Sequence, residues 1–182
     1  MTTQPDDCAL LLKALAFAAH KHRHQRRKGV DQDPYVNHPI EVANVLANEG
    51  GIADTVVLCA AALHDTVEDT DTSFAELERH FGKDIASVVA EITDDKSLPK
   101  AERKRLQVER AAHISTRARL VKLADKICNV RDMARDPPAD WSPERRAEYF
   151  AWAKRVVDAL RGVHAELEAV FDASHAARPR RI

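Results

Sequence analysis

The stretch Asp54–Leu63, DTVVLCAAAL, is almost wholly apolar and runs straight into His64, Asp65, Glu68 and Asp69. A helix that is apolar all round belongs in a protein interior. A buried helix therefore delivers four ionisable groups at its C-terminal end, ALHDTVEDTD, where burial of unpaired charge is costly. Any fold for this chain must resolve that conflict.

Side chains three or four positions apart share a helix face. His64 and Glu68 are four apart, as are Asp65 and Asp69, while Asp65 and Glu68 are three apart. A helix over about 53–67 and its continuation points all four into one sector. For any single acid, a frayed and solvated helix end is an equal alternative. For the group it is weaker, because three carboxylates in one sector repel each other unless a cation lies among them. A divalent metal removes that cost and accounts for the histidine.

The rest of the chain reads as helix. Only five glycines and long Ala/Leu/Glu/Arg-rich stretches favour helix over strand. Leu11, Ala14, Leu15 and Ala18 put a 3.6-residue period on 7–22. QRRKGVDQDPYVNHP follows as a loop, with Gly29 and Pro34 as breakers. Pro39 opens a helix of about 39–49 that stops at Gly50-Gly51. Ser73 and Glu76 form a capping box for a short helix ending near Gly82, and Asp84 caps 85–93. Helices of about 100–112 and 116–134 come next, the latter capped by Ser115. Ser142 caps, and Pro143 opens, a helix reaching about 161. Gly162 separates it from a last one near 164–175, and the tail ARPRRI is expected to fray. Repeats, low-complexity tracts and linkers long enough to divide domains are absent from the sequence.

Two further segments supply metal-type ligands. YVNHPIEVANVL carries His38 at a helix start. LVKLADKICNVRDM carries Asp125 among Leu120, Leu123, Ile127 and Val130, at the edge of an apolar face. A lone aspartate there costs stability unless it is paired or metal-bound. A salt bridge to Lys122 or Arg131 is the alternative for Asp125, and a helix cap is the alternative for His38. A histidine–aspartate dipeptide alone is a weak signal. His38, His64-Asp65 and Asp125, each on or at the end of a helix, are far more specific.

Net charge is −1, which gives no overall attraction to nucleic acid or to a membrane surface. No apolar run reaches the roughly 18 residues of a membrane span, and MTTQPDDC lacks a signal-peptide pattern. Cys8, Cys59 and Cys128 share no metal or redox spacing, and reduced thiols in a cytoplasmic protein are the simplest account. The basic 100–119 stretch has no interleaved aromatics, which disfavours nucleic-acid binding.

The pattern H…HD…D resembles the HD-domain metal-dependent phosphohydrolases. RRKGVDQDPYVNHP, HDTVEDTD, TDDKSLPKAERKR and KLADKICNVRDM together resemble the hydrolase domain of RelA/SpoT-type proteins. DWSPERRAEYFAWA is similar to an element of the stand-alone small alarmone hydrolases of the metazoan SpoT-homologue type. The resemblance covers about residues 7–172. It implies one all-α hydrolase domain over 1–182, of about ten helices, with no synthetase or regulatory domain. It also implies removal of the 3′-pyrophosphate from ppGpp and pppGpp, normally with manganese.

On that resemblance His38, His64, Asp65 and Asp125 would hold one metal ion, and a mixed imidazole–carboxylate set suits manganese, iron or zinc alike. Glu68 and Asp69, one turn beyond, would take a proton from attacking water or give one to the departing oxygen. Arg27 and Lys28 match the family's nucleobase-facing pair, with Tyr35 near them. Lys100 matches a phosphate-facing residue, with the KAERKR run around it otherwise a solvated face. Asn129, four residues after Asp125, would bond sugar or phosphate, and Arg145 would face phosphate. At Cys128 the family usually has a larger, often aromatic residue, so the pocket wall differs there. The same resemblance leaves room for a 2′-phosphatase acting on NADPH. A non-catalytic alarmone-binding module is disfavoured, because a pure binding site gains nothing from Glu68 and Asp69 beside a phosphate.

Overall fold

The computed structural model describes residues 5–177. Its helices are α1 (Pro5–Lys21), α2 (Asn37–Asn44), α3 (Thr55–Leu63), α4 (Thr66–Asp69), α5 (Phe74–Phe81), α6 (Lys83–Ile92), α7 (Lys100–Arg110), α8 (Thr116–Arg135), α9 (Pro143–Leu160) and α10 (Ala165–Ala176). A π-helical segment, Val45–Glu49, carries α2 on towards Gly50. No strand occurs among the described residues, where the one β-type contact is an isolated bridge between Arg26 and Pro34. The all-α expectation holds. ARPRRI lies outside the described residues beyond Ala177.

α3 and α8 form the centre. α3 packs on α1, α2, α6 and α8, while α8 packs on α2, α3, α6, α9 and α10. Leu63, Leu123, Ile127, Leu167 and Phe171 are fully buried between them. Fully burying one such side chain is worth about 1.5–3 kcal/mol. α3 is apolar on every side because neighbours cover it on every side. α7 contributes no fully buried residue and lies on α9, where the Trp152 indole N–H donates to the Lys104 carbonyl at 3.1 Å.

Most boundaries match the sequence reading, and three differ. The helix expected over 53–67 breaks at His64–Asp65. Asp65 takes φ −96° and ψ −5°, and the Thr66 hydroxyl donates to the Leu63 carbonyl at 2.6 Å, tightening the turn. The register survives the bend, because the Asp69 amide still donates to the Asp65 carbonyl at 2.8 Å. Asp84 does not cap α6. Gly82, at φ 86°, turns the chain and the helix starts at Lys83 without a side-chain cap. The capping box at Ser73 is half formed. Ser73 accepts the Glu76 amide at 3.2 Å, but the Glu76 carboxylate meets Lys21 at 3.2 Å instead of closing the box. Ser115 and Ser142 cap α8 and α9 as expected.

Candidate functional site

Three elements bring the ligand-type side chains together. α2 supplies His38 near its start, the α3–α4 turn supplies His64 and Asp65, and the middle of α8 supplies Asp125. One ligand atom from each of His38, His64 and Asp65 lies within 4.8 Å of the others. Asp125 Oδ1 joins them, 3.2 Å from His38 Nε2 and 3.8 Å from His64 Nε2. Asp65 Oδ2 is 3.1 Å from His64 Nε2 and 3.9 Å from His38 Nε2. Both histidines and Asp125 are buried.

The charge balance is what makes this group suited to a cation. His64 Nδ1 lies 2.8 Å from the Ala61 carbonyl, which can only accept, so Nδ1 carries the proton. A neutral His64 then aims the Nε2 lone pair at carboxylate oxygens, and Nε2 has no hydrogen-bond partner. Burial alone would lower the His64 pKa, but Asp65 and Asp125 push it up to about 9. Burial lowers that of His38, only partly offset by Asp125. Burial would raise Asp125, yet Lys126 and the histidines hold its carboxyl well below the ordinary range. A positive charge is needed at the centre, and two imidazole nitrogens with two carboxylates are a donor set a divalent metal takes.

Glu68 and Asp69 flank this centre on α4. Glu68 accepts the Asp94 amide at 3.1 Å and lies 3.5 Å from Arg103. Burial holds its pKa above the ordinary carboxylate value, against the pull of the Asp94 amide. Asp69 pairs with Lys96 and lies 3.0 Å from the Tyr35 hydroxyl. That hydroxyl is also 2.7 Å from Asp65, so Tyr35 links a ligand-type carboxylate to Asp69.

Two cavities meet at the centre. The outer one, about 640 Å³, is walled by Arg27, Lys28, Tyr35, Lys100, Asn129 and Trp141, among others. The inner one, about 180 Å³, is walled by His38, His64, Asp65, Glu68, Asp69 and Asp125, with Lys122, Lys126 and Gln107 also lining it. Arg27, Tyr35, His38, Asp69 and Asn129 line both.

The Arg27 guanidinium sits 5.5 Å from the Tyr35 ring centroid and donates to Asn129 at 3.1 Å and Asp132 at 2.9 Å. Asn129 in turn bonds Asp125. Lys100 and Arg145 pack on Trp141, at 5.6 and 4.2 Å from its centroid, so Arg145 stands one layer out from the cavity wall. Burial, then Arg145, Lys28 and Arg103, lower the Lys100 pKa, the signature of crowded cations. Cys128 is buried and lines the outer cavity.

The alternative given for Asp125, a salt bridge to Lys122 or Arg131, does not form. Lys122 donates to the Ile92 carbonyl at 3.1 Å and Arg131 grips Glu49 at 2.6 and 2.8 Å, so neither salt-bridges Asp125. Its cation is the adjacent Lys126, at 2.9 Å. The bend of the Lys126 side chain under Trp152, 4.6 Å from the ring centroid, makes a neighbour-to-neighbour pair possible. The KAERKR run is also more than a solvated face. Arg103 reaches Glu68, and Lys104 packs 4.6 Å from the Trp152 centroid. Lys96, Arg103 and Trp141 are site residues that sequence spacing does not reveal, because each arrives from a separate element, whereas Asp132 is legible as the residue seven after Asp125 and three after Asn129 on the same face of α8.

Residues 14–151 match the family model described as the HD domain. The chain is 58% identical over 166 residues to guanosine-3′,5′-bis(diphosphate) 3′-pyrophosphohydrolase MESH1 of Xenopus tropicalis, covering 91% of this chain and 93% of the relative. It is 58% identical to the protein of the same name in Homo sapiens, covering 89% and 90%. Among solved structures, one described as a metazoan orthologue of SpoT that hydrolyses ppGpp superposes with a TM-score of 0.90 at 54% identity, covering 92% of this chain and 94% of the other.

Proposed function

The chain belongs to the HD-domain family, and on that premise we propose that it is a metal-dependent (p)ppGpp 3′-pyrophosphohydrolase, a single hydrolase domain acting in the cytoplasm. One observation carries the proposal. The chain is 58% identical over most of its length to curated hydrolases of that name, and it has two imidazoles and two carboxylates converging beside the open nucleotide-sized cavity.

His38, His64, Asp65 and Asp125 would hold the ion, which we assign as manganese. When bound, such an ion polarises a phosphoryl oxygen and lowers the pKa of adjacent water. The purine and sugar take the outer cavity, whose wall includes Cys128, Met133 and Trp141, while Ile92 and Val121 are the apolar residues of the inner one. Arg27 is a planar cation lying 5.5 Å over the Tyr35 ring centroid, and its guanidinium plane is a platform on which a purine can stack. Lys28, Lys100 and Arg145 offer positive charge to the 5′ phosphates, and Asn129 a hydrogen bond to the sugar.

The reaction joins a water oxygen to the phosphorus attached to ribose O3′ and breaks that O3′–P bond. Pyrophosphate departs with the new oxygen, and O3′ gains a proton. Glu68 and Asp69 handle the two proton movements. Both hang from the same short helix as Asp65, so the turn that places the ligand places the acid–base pair too. Burial moves the Glu68 pKa upward from the ordinary carboxylate value, the direction that favours a carboxylate acting as a proton carrier.

Purified protein with manganese, offered ppGpp, pppGpp and NADPH separately, tests the reading. Pyrophosphate release from the first two is expected. Release of phosphate from NADPH alone would replace this function with a 2′-phosphatase, and binding without turnover would make the chain an alarmone-binding module.

A further inference from the structure

Lys122 is a buried lysine, 9% exposed, that lines the inner cavity, and burial pushes its pKa down. Its ammonium has three donors. One goes to the Ile92 carbonyl at 3.1 Å, and no described carboxylate comes within salt-bridge distance of it. Beside it Gln107 Oε1 is buried without a partner. A buried, mostly unpaired ammonium is costly. Lys126, one turn along α8, differs, because Asp125 and Trp152 already occupy it.

The inner cavity, about 180 Å³, is less than a third of the outer one at about 640 Å³, so the bulky nucleoside fits the outer cavity and the inner cavity has room for phosphate groups. Its wall holds four carboxylates (Asp65, Glu68, Asp69, Asp125) against three cations (Arg27, Lys122, Lys126). A divalent ion at the ligand cluster turns that balance positive and leaves Lys122 as the cation with donors to spare. The phosphorus under attack lies beside the ligands, so a second phosphate attached to it has the inner cavity to enter.

Resting on the hydrolase reading, we propose that Lys122 binds the distal phosphate of the 3′-pyrophosphate group, making the inner cavity a diphosphate subsite. Lys122 thereby sets a preference for a pyrophosphoryl over a single phosphoryl substituent on the ribose. It lines the inner cavity, whereas Lys100 lines the outer one.

The test titrates inorganic pyrophosphate, inorganic phosphate and GDP into the metal-loaded full chain, with metal content measured on each sample. The wild-type chain is expected to bind pyrophosphate about tenfold or more tighter than phosphate, the effect of one hydrogen bond to a charged group. Lys122→Met should abolish that preference while GDP affinity stays within about twofold, and Lys122→Arg should keep part of it. Equal affinity of the wild-type chain for pyrophosphate and phosphate overturns the subsite whether or not any variant folds. A Lys122→Met chain that keeps the preference overturns it as well, and so does one that loses GDP, pyrophosphate and metal together, which makes Lys122 a structural lysine. Hydrolysis of ppGpp by wild type, measured in parallel, separates the two ideas. Turnover without a pyrophosphate preference removes only the subsite, and the preference without turnover removes only the hydrolase.

Discussion

His64 Nδ1 meets the Ala61 carbonyl oxygen at 2.8 Å, one turn back on the same helix. This contact spends the only ring N–H of a neutral His64 on the backbone and leaves Nε2 as a lone pair facing Asp65 and Asp125. A backbone partner for the second nitrogen orients many metal-binding histidines in this way.

Chelation is therefore expected to abolish turnover, and manganese to restore it better than magnesium, which prefers an all-oxygen shell. His64→Ala and Asp125→Ala should lose metal and activity together. Metal analysis of the purified variants checks this; unchanged metal content would strike those residues from the ligand set.

Glu68→Gln should keep the metal and lose about 10²–10⁴ in kcat, the range for removing a general acid or base. Burial raises the Glu68 pKa, so the proton stays on until a higher pH than in an ordinary glutamate. If Glu68 is the base, activity falls as pH drops through that raised value, and the acid limb of the pH–rate profile lies higher than an unshifted glutamate would put it. The Glu68→Gln profile should lack this limb. A limb that persists in the variant belongs to another group.

Tyr35→Phe removes the hydroxyl between Asp65 and Asp69 but leaves the ring under Arg27. Losing a hydrogen bond to charged partners costs about 1.5–3 kcal/mol. A fall in kcat of about 10- to 150-fold with little change in KM is expected. A change confined to KM would place Tyr35 in nucleotide binding alone.

Arg27→Ala should weaken KM by about 5- to 150-fold, from loss of about 1–3 kcal/mol of stacking. Arg27→Lys should recover little of it. The lysine keeps the charge, but it loses both the plane over Tyr35 and the bonds to Asn129 and Asp132. Steady-state kinetics on ppGpp with both variants decide the matter; a lysine variant equal to wild type would reduce Arg27 to a simple charge.

Gly29→Ala should damage the outer cavity without touching the metal. A Cβ at Gly29 would lie 1.8 Å from Asp136 Oδ2, the carboxylate that accepts the Val30 amide at 2.8 Å and the Asp31 amide at 3.3 Å. The loop must shift, and it carries Arg27 and Lys28. Higher KM with wild-type metal content is expected, and an unaltered KM would show that the loop absorbs the methyl freely.

The sequence alone determined the helical fold and nearly all of the metal-type cluster, for one physical reason. Helix periodicity and capping are local, and so is the i, i+4 geometry that groups His64, Asp65, Glu68 and Asp69 or ties Asn129 to Asp125. It also singled out His38 and Asp125, since a polar residue on an otherwise buried face must have a partner. Only the tertiary structure decided who those partners are. Asp125 took its chain neighbour Lys126 because Trp152, from α9, folds the lysine back. Glu68 met Arg103 and Asp69 met Lys96 because α7 and the loop before it cross the end of α4. Lys122 came to line the cavity beside the cluster because α8 packs against α6, whose Ile92 carbonyl takes its ammonium, and burial there pushes its pKa down. Those contacts depend on how distant segments pack, which no local pattern along the chain encodes.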